Sequence, residues 1–273
     1  MIAIGLSAVW VMRMVSAAGI SISATLIGAV LVWGVSVKLR DTSIVDIAWG
    51  PAFVVCGVVY LVMTPDLSLR SILVTSLVFG WAVRLSSHIY QANKNKPEDV
   101  RYQAFRANSG AAYWWKSLYK VFMLQGLLAF LVSSPLLLIA FHPGAEFPTI
   151  FDLAALAAWA IGAFFEFVGD RQLRAFKADA SNKGKVLCSG LWAITRHPNY
   201  FGETLMWWGV YLFCLSSGWS GMLVLFSPIL MTVLVRWVSG VSMLERILIK
   251  TKPGYRDYML TTPALVPRIP WWK

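Results

Sequence analysis

Charge is what this sequence has least of. Only 14% of its 273 residues are Asp, Glu, Lys or Arg, and the acidic sign is the scarcer, 13 residues against 24 Lys plus Arg. So little charge cannot cover the surface of a water-soluble domain of this length. Cysteine is sparse too: Cys56, Cys188 and Cys214 have neither metal-ligand spacing nor an even count, which leaves no basis for a disulfide framework or a zinc site. Internal repeats and low-complexity segments are lacking, and long polar stretches are confined to 91–117, 170–198 and 245–273.

What fills the sequence is apolar. Hydrophobic residues make up 58% of the chain, and the mean hydropathy is +0.65. A helix satisfies its own backbone in hydrocarbon, and about 20 apolar residues cross it. Seven runs of that kind occur, at 15–37, 45–64, 71–90, 118–141, 151–169, 200–218 and 221–241. The expectation is an all-α polytopic transmembrane bundle of seven helices, forming one integral membrane domain over 1–273. The run 2–12 is too short to span. No convincing small-residue cleavage site follows it, so residues 1–14 are read as an N-terminal extension, lying on the membrane or lengthening the first helix, not as a removed signal.

Orientation follows from the basic residues. With the N-terminus outside and the C-terminus cytoplasmic, the inner segments hold Lys38 and Arg40, the bases from Lys94 to Lys116, those from Arg171 to Arg196, and the tail from Arg246; the outer loops hold only Arg70. Topology and anionic headgroups account for the net charge of +11 without any further ligand, and nothing points to nucleic acid. All three polar stretches then fall on one side. They leave room for a polar ligand there and a lateral route for an apolar one.

The stretch from Phe164 to Trp208 carries the most chemistry. Glu166 and Asp170 lie one helical turn apart at the inner end of the fifth run, where they either share one site or simply pair with Arg171 and Arg174. A basic, small-residue loop follows, with Lys177, Lys183, Gly184 and Lys185, suited to phosphates. Then comes Arg196-His197-Pro198-Asn199-Tyr200-Phe201-Gly202-Glu203 at the mouth of an apolar run. Pro198 suits a helix start, whose free amides favour an anion beside Arg196. Asn199 and Glu203 share a face, and an ionisable group such as Glu203 just inside an apolar helix points to function. His197 reads equally as a loop histidine or a catalytic one.

RHPNYFGE, with the acidic helix end and basic loop before it, resembles the C-terminal region of the steroid 5α-reductase family, in its bacterial DUF1295 branch. The likeness is clearest over 160–270, taken as a cofactor-binding region. It extends more weakly over 40–106, through SIVDIAWGP and RLSSHIYQANKNKPEDVRYQAFR. The resemblance implies an NADPH-dependent reductase that passes hydride to a conjugated C=C bond of an apolar steroid- or lipid-like enone. It further implies a monomer in a bacterial inner membrane with its site facing the cytoplasm. Cofactor contacts would fall on Arg84, Arg101, Tyr102, Glu166, Asp170, Lys177, Lys185, Arg196, His197, Asn199 and Tyr200, with Glu203 orienting the nicotinamide end.

Asp46 matches the family's catalytic carboxylate, and a desolvated carboxyl there would donate a hydrogen bond. Trp81 stands where the family has a phenolic donor, so His88 or Tyr90 would replace it if the helix face allows. The family's closing tail uses a histidine and a tyrosine; this tail offers Tyr255 and Tyr258 instead, residues that an amphipathic interfacial helix would also carry. On this picture the segments from Arg84 to Arg106, Glu166 to Glu203 and Glu245 to Tyr258 serve one dinucleotide-sized site. A rival reading is an S-adenosylmethionine-dependent membrane methyltransferase of the isoprenylcysteine or phospholipid type, which shares an RHPxYxG motif and an acidic, tyrosine-rich tail. A transporter or scaffold is a third, though no pair of broken helices in repeated halves supports it.

Overall fold

The computed structural model describes the backbone of residues 2–268 and the side chains of residues 9–268. Every regular element among them is helical, and the chain divides into two compact units, Met1–Phe147 and Pro148–Lys273.

The first unit opens with α1 (Ile2–Leu39), one continuous helix, so the short run at 2–12 lengthens the first span. Arg40 ends it in the left-handed region (φ 55°), and the Asp41 amide bonds back to the Ser36 carbonyl. After this corner α2 (Ile44–Met63) carries Asp46 in its first turn, where a carboxylate is favoured by the helix dipole. In α3 (Leu69–Asn93) the N-cap hydroxyl of Ser68 accepts from the Ser71 amide. Beside it the buried Arg70 guanidinium donates to the carbonyls of Pro143 and Ala145. The lone base of the expected outer loops therefore fastens a turn. Helices α2 and α3 approach through small residues, a Cβ on Gly50 falling 2.9 Å from Ala82 Cα.

Helical structure then runs almost unbroken from Val100 to Phe141, as α4 (Val100–Ser109), α5 (Tyr113–Ser117), a π-helical stretch (Leu118–Met123), α6 (Leu124–Val132) and α7 (Ser134–Phe141). The second unit begins with α8 (Ile150–Ala178), closed at its N-terminus by a reciprocal Thr149–Asp152 capping box. It continues with α9 (Pro198–Cys214), a 3-10 segment (Leu215–Val224), α10 (Phe226–Val233), a π-helical stretch (Leu234–Val238), α11 (Val241–Thr251) and α12 (Tyr255–Thr261).

Six of these stretches are long and apolar enough to cross a membrane: Val9–Leu39, Ile44–Met63, Leu69–Asn93, Val100–Phe141, Ile150–Ala178 and Phe226–Thr251. The protein is thus an all-α polytopic bundle. The expected run at 200–218 differs, because its α-helix, α9, is only 17 residues long. That is about 26 Å of helix against a hydrocarbon core of about 30 Å, and the chain continues in the tighter 3-10 form.

The α8–α9 pair is the closest packing in the second unit. Ala155, Gly162 and Gly169 recur every seventh residue along α8 and meet α9 backbone to backbone. A Cβ on Gly162 would stand 2.7 Å from the Gly202 carbonyl oxygen, one on Gly202 2.6 Å from the Glu166 nitrogen, and one on Gly169 3.0 Å from Pro198 Cγ. Small residues let helices approach this closely in a bilayer, where dispersion and not hydrophobicity holds them together. Gly202→Ala is expected to destabilise the protein by roughly 1–3 kcal/mol through overpacking, despite alanine's better helix propensity. Gly28→Ala, whose Cβ meets nothing within 4 Å, is expected to leave stability unchanged or raise it by up to about 1 kcal/mol. Thermal unfolding in one detergent compares the two, and equal midpoints would refute the packing argument.

Candidate functional site

Among the described residues, each unit holds a charge-paired polar cluster built around a carboxylate. In the first unit the carboxylate is Asp46. Arg101 Nη2 donates to its Oδ2 at 2.7 Å, and the Tyr102 hydroxyl donates to its Oδ1 at 2.6 Å. The sequence places both donors through a local device: Asp99 caps α4, accepting from the Arg101 amide at 2.9 Å and from Arg101 Nε at 2.8 Å. The Asp99 amide in turn donates to Ser43 Oγ, one residue before α2. Glu98 accepts from the Thr42 amide and from Arg106, whose guanidinium lies over the Tyr113 ring. Burial pushes Glu98 and Asp99 up, but the hydrogen bonds from Arg106 and Thr42, and from Arg101, outweigh it and hold both carboxyls below their usual range.

Asp46 has both oxygens engaged, Oδ2 by Arg101 and Oδ1 by Tyr102. The phenol beside it comes from Tyr102 on α4, not from α3. Trp81 is buried and packs edge-to-face on Phe53 at 5.6 Å, Tyr90 is exposed, and His88 and Arg84 are half-buried on α3. Sequence reasoning had Tyr102 as a cofactor contact. The signal that could have found its partner was the capping acid Asp99 directly before Val100-Arg101-Tyr102.

In the second unit the carboxylate is Glu245. Arg196 grips it side-on, Nε to Oε1 at 2.7 Å and Nη2 to Oε2 at 3.3 Å, while His197 Nε2 lies 3.0 Å and the Tyr255 hydroxyl 3.4 Å from Oε1. The remaining reach of Arg196 goes to the carbonyls of Met259 and Thr262. Further bonds stitch the same two segments together: Tyr258 to the Trp192 carbonyl, Thr195 Oγ1 to the Leu265 carbonyl, and the Arg196 amide to the Pro263 carbonyl. Arg196, His197, Tyr255 and Tyr258 thus fasten the C-terminal segment onto the motif. Burial raises both phenols, joined at Tyr255 by the nearby Glu245. Burial lowers the His197 imidazole, against the pull of Glu245.

Glu166 and Asp170 are brought to the start of α9 by the glycine contacts, and both are buried. Asn199 stands in the first turn of α9, and its Oδ1 is buried with no hydrogen-bond partner. Tyr200 stacks on His197 at 5.6 Å; Glu203 is half-buried one turn on. Lys177 and Lys185 are exposed, and the Lys185 carbonyl accepts from Lys252 Nζ at 2.5 Å. An orphaned acceptor beside two buried acids suits a ligand rich in hydroxyl and amino donors.

Fold and clusters define a polytopic helical membrane protein with buried, charge-paired polar sites. Its sequence matches the family model described as "Protein of unknown function (DUF1295)" over residues 32–262, and the chain belongs to that family. It is also similar to an uncharacterized protein of Schizosaccharomyces pombe, 26% identical over 216 residues that cover 69% of this chain and 61% of that protein. The chain therefore spans under two thirds of that relative's length. No solved structure matches it.

The His197 arrangement has a pH consequence. The folded ring resists a proton that the unfolded chain accepts, so its contribution to stability is present above the ordinary imidazole value of 6.5 and is lost as pH falls below it. The unfolding midpoint is expected to drop between about pH 7.5 and about pH 5.5, and to drop less in His197→Gln. Parallel slopes in the two proteins would remove His197 from the account.

Proposed function

We propose that this protein is an NADPH-dependent membrane reductase acting on the conjugated C=C bond of an apolar, steroid- or lipid-like enone, in the manner of the steroid 5α-reductases its motifs resemble. The observation that carries the reading is the Tyr102–Asp46 hydrogen bond with Arg101 on the other carboxylate oxygen. A phenol held by an ion-paired carboxylate is the kind of donor that polarises an enone oxygen, and it stands here in place of the family's tyrosine on the third span. Bound NADPH would supply the hydride. The chain's own residues bind and orient. Tyr102 turns its hydrogen from Asp46 to the carbonyl oxygen as negative charge develops there, while Arg101 holds Asp46 in place.

For the cofactor, the buried Asn199 Oδ1 accepts from a ribose hydroxyl or an adenine amine, as do Glu166 and Asp170. Lys177 and Lys185 offer exposed charge to phosphates. Arg84 and Tyr200 remain cofactor contacts, and Glu203 and His88 accessory groups, on the resemblance alone. The same reading takes α9 with Leu215–Val224 as a seventh crossing and sets the basic segments in the cytoplasm.

A second reading has an observation of its own. Arg196 and His197 bind Glu245 and Tyr255, joining the RHPNY motif to the acidic tail on which a membrane methyltransferase using S-adenosylmethionine would draw. A ligand comparison decides between them. In detergent, NADPH is expected to raise the unfolding temperature and S-adenosylmethionine to leave it unchanged, with Asn199→Ala weakening the NADPH effect. The reverse pattern rules the reductase out. Once an enone is turned over, Tyr102→Phe is expected to lower kcat by about 10²–10⁴-fold with cofactor affinity unaltered.

A further inference from the structure

The first unit contains an apolar cavity of about 140 Å³ bounded by α1, α2, and the chain from Phe122 to Gly126. Its α1 wall is mostly small residues, Ala24, Thr25, Gly28 and Ala29, with Val32, and Gln125 is the one long polar side chain in the lining. The Thr25 hydroxyl is already bonded to the Ser21 and Ile22 carbonyls. On α2 the wall runs from Val45 past Trp49 to Val55, and Val55 is also exposed on the apolar outer face, so the cavity is reached from the side and not through a polar mouth.

Its other end adjoins the Asp46 cluster. Val45 precedes Asp46, Trp49 follows it by one turn, and the lining residues Val45 and Phe122 pack with Tyr102 in one buried cluster. A molecule with its tail in the cavity would carry its head toward the Tyr102 hydroxyl.

Size then selects the tail. The enclosed part of this space is close to the volume, about 150 Å³, that holds one benzene ring, so it houses a single ring or a short length of hydrocarbon chain, and four fused rings would extend out of its open side. We infer that the cavity between α1 and α2 binds the slim hydrocarbon tail of a straight-chain or single-ring enone that enters from the bilayer, in preference to fused-ring steroids. The inference rests on the reductase reading for the identity of the head group, while the tail site stands on the cavity alone.

The test is photolabelling of the full-length protein in detergent without cofactor. The probe is a straight-chain alkyl enone carrying a diazirine on its tail. Labelling is expected on residues 24–32 and 45–55. An unlabelled straight-chain enone is expected to compete about tenfold more strongly than androst-4-ene-3,17-dione or a saturated alkane of equal length. Gly28→Leu places its side chain where a Cβ meets nothing within 4 Å. It is expected to cut labelling about fivefold or more without lowering the unfolding temperature, whereas Gly19→Leu, equally open but outside this cavity, is expected to label like the wild type. Equal competition by the steroid overturns the size argument, equal competition by the alkane makes the space an ordinary acyl-chain groove, and unchanged labelling of Gly28→Leu places the tail elsewhere. Because no cofactor is present, tail binding followed by absence of NADPH oxidation would fail the reductase reading and leave the tail site standing.

Discussion

A charge cannot be left alone in hydrocarbon, and the structure is arranged around that constraint. Moving an isolated carboxylate out of water costs several kcal/mol even after relaxation. Asp46 and Glu245, one in each unit, are both met by an arginine at 2.7 Å and by a tyrosine hydroxyl. Removing Arg196 would strand a buried charge, a loss of about 3–5 kcal/mol, and removing Arg101 would cost less because Asp46 is only partly buried. The two clusters differ in what else they hold. Around Asp46 the partners come from a short capped helix, α4, and leave the phenol near an apolar space. Around Glu245 the partners are spent on holding one chain segment to another.

That difference separates a site suited to chemistry from one suited to architecture. Arg196 directs its guanidinium at Glu245 and at the carbonyls of Met259 and Thr262, so its charge is committed within the protein. Asn199, three residues on, keeps a buried acceptor without a partner. Among the motif residues it is therefore Asn199, not Arg196, that has capacity to spare for a ligand.

How much of this was legible in the sequence varied with the range of the interaction. The helical membrane class followed from apolar run lengths, since hydrocarbon admits few backbone solutions. The end of α9 was missed because the run expected at 200–218 takes in Ser216, Ser217 and Gly218, where the backbone has already tightened into a 3-10 helix and Gly218 turns to positive φ. That Glu166 and Asp170 lie one turn apart was legible from helical spacing; their approach to the motif through Gly162, Gly169 and Gly202 was not. The Tyr102–Asp46 pair was not legible either, since 56 residues separate the two. Glu245 was noted as part of an acidic tail. Its grip by Arg196 and His197 depends on where α11 and α12 return, and no local pattern encodes that.

The glycine seam of α8 and α9 also limits how the second unit can move. Where two helices touch through backbone atoms at Gly162, Gly169 and Gly202, neither can roll about its axis nor slip by a turn without collision. Repeats of seven residues are what a left-handed supercoil requires, so the pair resembles two strands of a rope already laid. Such a strut transmits a push along its length and resists torsion. Motion within this unit is then left to the loop 179–197 and the strapped tail, with the acids on α8 staying fixed as a reference surface.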